Sequence, residues 1–222
     1  NAASILLHTL DDRDSQVRHD MISVVEMIGD TRAASALLRI FRGDNEQRNR
    51  ERAIESLQRL VEREIFPRSA LHQVLIAHLQ DPRWEMRRVV VKLLGEVGDP
   101  SVVPALAQSL TDDTYINDVW DDDCLIAVTA VHALEKIGDE TAVAALLSAL
   151  DSPHENVRAH TAERLASLGI DAAIPKLIQL LKDETVYLYD AYEIHSRPVS
   201  HAARDALLCF GHTALPALIQ AS

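Results

Sequence analysis

Cysteine is almost missing from this chain. Cys124 and Cys209 are the only two, far apart in the sequence. They build neither a disulfide framework nor a paired-cysteine metal motif. The simplest setting is therefore a reducing compartment, taken here as the cytoplasm. Glycine is scarce too: seven residues, mostly where helices should end. No Gly-rich phosphate cradle can be assembled from them. No Gly-x-Ser-x-Gly occurs, and the sequence positions no histidine base beside Cys124. No apolar run approaches the roughly 20 residues that a membrane-spanning helix needs. Positive charge is in deficit, with 22 Lys and Arg against 34 Asp and Glu, a net charge of -12. A phosphate backbone would repel such a chain, so nucleic acid is not an expected partner. Aromatic residues make up 4% of the chain, so Leu, Val, Ile and Ala must build its core. The chain opens Asn1-Ala2-Ala3-Ser4-Ile5-Leu6-Leu7, without an initiator Met or a signal-peptide pattern. The expectation is a segment of a longer polypeptide with further domains.

What the chain has is repetition. An apolar–Arg pair, a Leu seven residues on, a Gly four further and a second apolar helix pattern recur about six times. The clearest copy runs from Val157-Arg158 through Leu165 and Gly169 to Leu177 and Leu181. Apolar residues at i, i+3, i+4 and i+7, as in Val103, Leu106 and Leu110, have helix period. Gly29, Gly98, Gly138, Gly169 and Gly211 should close the first helix (A) of each unit, and Asp30, Asp99 and Asp139 should cap the second (B). Pro104, Pro175 and Pro216 fall in the first turn of B helices, where a missing N–H costs little. The fold expected is all-α: a right-handed α-α superhelix of about six two-helix repeats in one domain spanning 1–222. No stretch alternates convincingly, so no sheet is expected.

Interruptions of the repeat are as informative as the repeat. Gly138 to Gly169 is 31 residues, but Gly98 to Gly138 is 40 and Gly169 to Gly211 is 42. Two insertions therefore lie between B and the next A, at Thr114–Asp123 and Thr185–Ser196. The second could hold a short extra helix, with Pro198 beginning the next A helix. All four tyrosines are in these insertions: Tyr115, Tyr187, Tyr189 and Tyr192. Trp120 is in the first, and Trp84 lies in an earlier B-to-A link. Such links run along one edge of a stacked solenoid. Tyr and Trp gathered there have the composition of a recognition surface; rings folded back as local plugs are the alternative. Asp118, Asp121, Asp122 and Asp123 add negative charge that suits a basic, partly apolar protein partner. Their spacing is not that of an EF-hand loop, so no metal and no cofactor are expected.

Val17-Arg18 with Ile28-Gly29-Asp30, Met86-Arg87 with Val97-Gly98-Asp99-Pro100, Ile137-Gly138-Asp139 and Val157-Arg158 with Leu168-Gly169 carry a resemblance. The pattern resembles the HEAT-like repeats first described in phycobilisome lyases, over nearly the whole chain. The resemblance implies the α-solenoid. For function it implies a scaffold or adaptor, a bilin lyase-like enzyme or chaperone subunit, or a di-iron hydroxylase-like protein. His19-Asp20 stands where the hydroxylase repeats carry His-Glu, but the intervening repeats lack the pair. The arginine that the family places near the start of helix A matches Arg18, Arg50, Arg87 and Arg158. Asp12, Asp81 and Asp151, at the ends of preceding B helices, are close enough to pair with them in a structural ladder; an anion site is the alternative. Ala127 and Ser200 replace the arginine directly after each insertion. With no catalytic motif, non-catalytic protein recognition is the expected function.

Overall fold

The computed structural model describes residues 6–114, 125–188 and 196–221. These form two compact units, Asn1–Ala77 and His78–Ser222. The first unit has α1 (Ser15–Ile28) and α2 (Thr31–Gly43), then α3 (Gln47–Glu62) and α4 (Arg68–Ala77). The second has four further pairs: α5 (Trp84–Val97) with α6 (Val103–Ser109), α7 (Ile126–Ile137) with α8 (Glu140–Ala149), α9 (Glu155–Ser167) with α10 (Ile174–Leu180), and α11 (Val199–Phe210) with α12 (Leu215–Ala221). Odd-numbered helices are the A helices and even-numbered ones the B helices. The architecture is an all-α solenoid of two-helix repeats.

Local chemistry sets the helix ends. Gly29 and Gly98 follow α1 and α5 at φ 61° and 66°, the left-handed region that glycine enters without a Cβ penalty. The degenerate second A helix, α3, has lost that glycine and runs two residues longer than α1 and α5, 16 against 14. Glu64 takes φ 59° in its place, and the Ile65 amide reaches back to the Leu60 carbonyl at 2.9 Å. The B helices α2 and α8 start on aspartate: Asp30 accepts from the amides of Arg32 and Ala33, and Asp139 from that of Ala142.

Within each unit, consecutive A helices pack on one another: α1 on α3, then α5 on α7, α7 on α9 and α9 on α11. Val90, Leu94, Val131, Leu134 and Leu165 from this row are fully buried, as are Leu106, Leu146 and Leu177 from the B helices. Each such side chain contributes about 1.5–3 kcal/mol through burial. Polar bridges tie the A helices together near their C-terminal ends. Glu26 accepts from Ser56 Oγ at 2.7 Å and Arg59 at 3.0 Å, and Glu135 accepts from Ser167 Oγ at 2.8 Å. Between α5 and α7 the equivalent place is held by Gly95, against which the Ala133 backbone and methyl pack so closely that a Cβ would lie 2.6 Å from both.

The expectation of no sheet fails. Strands flank the second insertion: β1 (Val186–Leu188) and β2 (Ser196–Pro198) form an antiparallel pair in the register Tyr187↔Arg197, while residues 189–195, where a short extra helix was expected, lie outside the described residues. The alternation that marks a strand is confined to three residues, too few to stand out in the sequence. Val186 is exposed and Tyr187 buried, as the two faces of a strand require. Pro198 stands at the N-cap of α11.

Candidate partner-binding edge

In each unit the B-to-A links are organised around the repeated arginines, which act as clamps. Arg18 Nε donates to Asp44 at 2.7 Å, and its Nη1 to the Asp12 carbonyl at 2.9 Å. Arg87 Nε donates to Asp112 at 2.7 Å, and Nη1 to the Asp81 carbonyl at 2.7 Å. Arg158 repeats this with Asp183 at 2.8 Å and the Ser152 carbonyl at 2.8 Å. Arg50 is buried and donates to the Asp44 and Asn45 carbonyls. Each arginine thus ties the end of the preceding B helix to its own repeat.

Arg18, Arg87 and Arg158 do pair with carboxylates, but not with the expected ones. Asp12 and Asp81 supply main-chain carbonyls, while Asp81's side chain holds Arg83 at 2.9 Å and Asp151's pairs with Lys176. The acids are Asp44, Asp112 and Asp183, 25 or 26 residues after their arginines. An A helix and the B helix after it take that many residues to bring the chain back to the same end. Burial pushes these three carboxyls up, but hydrogen bonds from the arginines and from nearby amides or threonine hydroxyls outweigh it, and all three lie below the ordinary carboxylate range.

Both insertions grow from this clamp in the same way. Asp112-Asp113-Thr114 and Asp183-Glu184-Thr185 lead into them, and Thr114 and Thr185 Oγ1 each accept from their arginine's Nη2 at 2.7 Å. Where the chain re-enters, the Ala127 amide donates to the Asp112 carbonyl at 3.2 Å and the Ser200 amide to the Asp183 carbonyl at 2.9 Å. A backbone amide therefore does at these two helices what a guanidinium does elsewhere. That is why Ala127 and Ser200 can replace arginine. The Asp-x-Thr triplet 25 residues after an arginine was the sequence signal for these bases. A polar cleft of about 330 Å³, lined by Asp81, Arg87, Gln108, Asp112 and Asp113, opens beside the first.

Of the aromatic residues expected on the edge, Trp84 is the first residue of α5 and is half-buried. Tyr187 is a correction. At 1% exposure it cannot meet a partner; it is a plug, because β1 turns it onto α9. Its hydroxyl donates to Glu163 at 3.2 Å and its ring lies edge-on to His160. Tyr115, Asp118, Trp120, Asp121, Asp122, Asp123, Tyr189 and Tyr192 lie outside the described residues. His19, of the His-Asp pair, has Nδ1 3.1 Å from Asn49 Oδ1. No helix among the described residues is long and apolar enough to cross a membrane.

Charge divides unevenly between the two units. Residues 1–77 hold 11 Arg, no Lys and 12 Asp and Glu; residues 78–222 hold 11 Lys and Arg and 22 Asp and Glu. Nearly all the net negative charge belongs to the unit that carries both insertions.

Comparison with known proteins agrees with this architecture. YibA of E. coli is similar over 99% of this chain and 74% of its own, at 17% identity and a TM-score of 0.59. The complex of CpcE and CpcF of phycocyanin lyase from Nostoc sp. PCC7120 matches over 98% of this chain and 92% of that one, at 17% identity and a TM-score of 0.51. A designed armadillo repeat protein in complex with the peptide (KR)4 matches over 95% and 100%, at 16% identity and a TM-score of 0.51. At these identities the likeness shows the fold alone. No curated protein matches the chain. HEAT repeats are matched at residues 66–119 and 118–196, more than half of the sequence, and the chain belongs to the HEAT-repeat family.

Proposed function

We propose that this chain is a non-catalytic recognition module of a reducing compartment, the cytoplasm. It presents two anchored insertions, from one edge of the second unit, to a basic, partly apolar protein segment. The observation that carries this reading is the shared base of the insertions: the same Arg–Asp–Thr clamp where each leaves, and the same amide-to-carbonyl bond where each re-enters. A rigid base lowers the ordering cost of binding, so ring burial is not spent on fixing the loop. The contacts are assigned to Trp84, Tyr115, Trp120, Tyr189 and Tyr192, with Asp118, Asp121, Asp122 and Asp123 selecting cationic partners. Tyr187 anchors the second insertion instead. The fold is also one in which a designed armadillo protein holds the peptide (KR)4, and the acidity of the second unit suits the same use.

The test is selection from a random peptide library, with the chain and a variant carrying Ala at Tyr115, Trp120, Tyr189 and Tyr192 as baits. Helicity of the two is matched by circular dichroism. The chain is expected to enrich peptides that mix Lys or Arg with apolar residues, and the variant to bind them at least about tenfold more weakly. Equal binding of the same peptides by both baits would remove the insertions from the site.

A further inference from the structure

The anchor of the second insertion is a row of titratable rings. Tyr187 of β1 meets His160 of α9 edge-on, with centroids 5.9 Å apart and planes at 78°. His160 meets His132 of α7 in the same way, at 5.8 Å and 76°. Tyr187's hydroxyl donates to one oxygen of Glu163, and the other oxygen lies 3.8 Å from His160 Nδ1. Opposite Tyr187 in the strand pair is Arg197, which donates to Asp205 of α11 at 2.6 Å. The strand pair is thus held to α9 through Tyr187 and to α11 through Arg197.

We infer that this row is an acid-sensitive latch: at neutral pH it docks Val186–Leu188 and Ser196–Pro198 on α9 and α11, and protonation of the His132–His160 pair releases them. Histidine is the side chain whose charge changes most readily between pH 5 and 8, so two rings in contact sum their effect.

The surrounding charges favour release. On the elements packed around the rings lie Glu135 on α7, Glu163 and Arg164 on α9, Arg197 on β2, and Arg204 and Asp205 on α11; α5, packed behind α7, brings Arg88 and Lys92. Glu135 is taken up by Ser167 and Arg164, and Asp205 by Arg197 and Arg204. Glu163 is the carboxylate beside the rings. Burial pushes its carboxyl up, against the pull of the Tyr187 hydrogen bond and the charges of Arg164, Arg197 and His132. With both rings and Glu163 protonated, the compensating carboxylate charge is gone and two imidazolium cations lie in contact near Arg164 and Arg197. Salt screens such a half-buried cluster poorly, so the strand pair relieves the repulsion by leaving.

The inference goes beyond the binding reading. It rests on that reading only for its consequence, acid control of a partner-facing insertion, and it is tested without any partner. Hydrogen exchange of the whole chain is followed at about pH 7.5 and about pH 5, corrected for intrinsic rates. Protection of amides in 185–188 and 196–199 is expected to fall at least about tenfold at the lower pH, while α5 and α9 keep theirs. The double variant His132→Gln with His160→Gln should retain protection there at both. If that variant does not fold, His132→Gln alone should move the transition to lower pH by about half a unit or more. Unchanged protection in the parent chain, a loss shared by all helices, or the same loss in the variants would overturn the latch. Peptide binding that survives such a result would leave the recognition reading intact.

Discussion

At the scale of single residues, the smallest side chains carry the tightest demands. Gly95 is buried and helical, so its role is not conformational freedom but absence of a side chain: the α5–α7 contact leaves no room for a Cβ. The intruding atoms are the Ala133 backbone and methyl, which cannot swing aside. Gly95→Ala should therefore cost about 1–3 kcal/mol despite alanine's better helix propensity. Gly43, with nothing near its missing Cβ, serves as the control, and Gly43→Ala should be neutral within about 0.5 kcal/mol. Urea denaturation of both variants decides it; an unaffected Gly95→Ala would mean that the helices separate freely. Gly95 was visible in the sequence as a glycine inside a helical pattern, but its reason was not, because Ala133 lies in the next repeat.

At the scale of elements, the clamp is the unit that repeats. The Asp44 side chain is 1% exposed and accepts two bonds from Arg18, whereas the Arg39–Asp11 pair is more than half exposed on both sides. Asp44→Asn removes the counter-charge of the half-buried Arg18 guanidinium and weakens two charge-assisted hydrogen bonds, and should cost on the order of 2 kcal/mol. Asp11→Asn should cost at most about 1 kcal/mol. The pH dependence follows from the sign of the shifts. Asp44, Asp112 and Asp183 have carboxyls lowered in the folded chain. Their contribution is complete above the unfolded carboxylate value of about 4 and is lost as pH falls through the lower folded values. Helicity monitored by circular dichroism should thus hold to about pH 4 and fall below it. That window lies below the one in which the His132–His160 row releases its strands, so the two transitions are separable. A helical loss beginning near pH 6 would mean that the clamps are not the acid-labile element.

At the scale of the whole molecule, charge asymmetry bears on recognition. With net charges of -1 in residues 1–77 and -11 in residues 78–222, a cationic peptide is drawn to the second unit. Its association rate should drop about tenfold or more between roughly 50 and 300 mM salt, with a smaller change in dissociation rate. A salt-independent association rate, measured by stopped-flow fluorescence, would assign the selectivity to apolar contact alone. By itself the sequence determined the helix period, the paired helices, the capping Asp and Gly residues and the two insertions. All but the insertions, which show as breaks in the spacing of the repeat glycines, depend on residues a few positions apart, within reach of local backbone geometry. It also marked the clamp arginines, through their position in the repeat. Only the tertiary structure decided which acids those arginines hold, since Asp44, Asp112 and Asp183 return to them after two helices. It alone turned Tyr187 from a surface residue into an anchor and brought His132, His160 and Glu163 to one place. Stacking joins residues of neighbouring repeats that no local pattern relates, and it is in those contacts that burial and charge are settled.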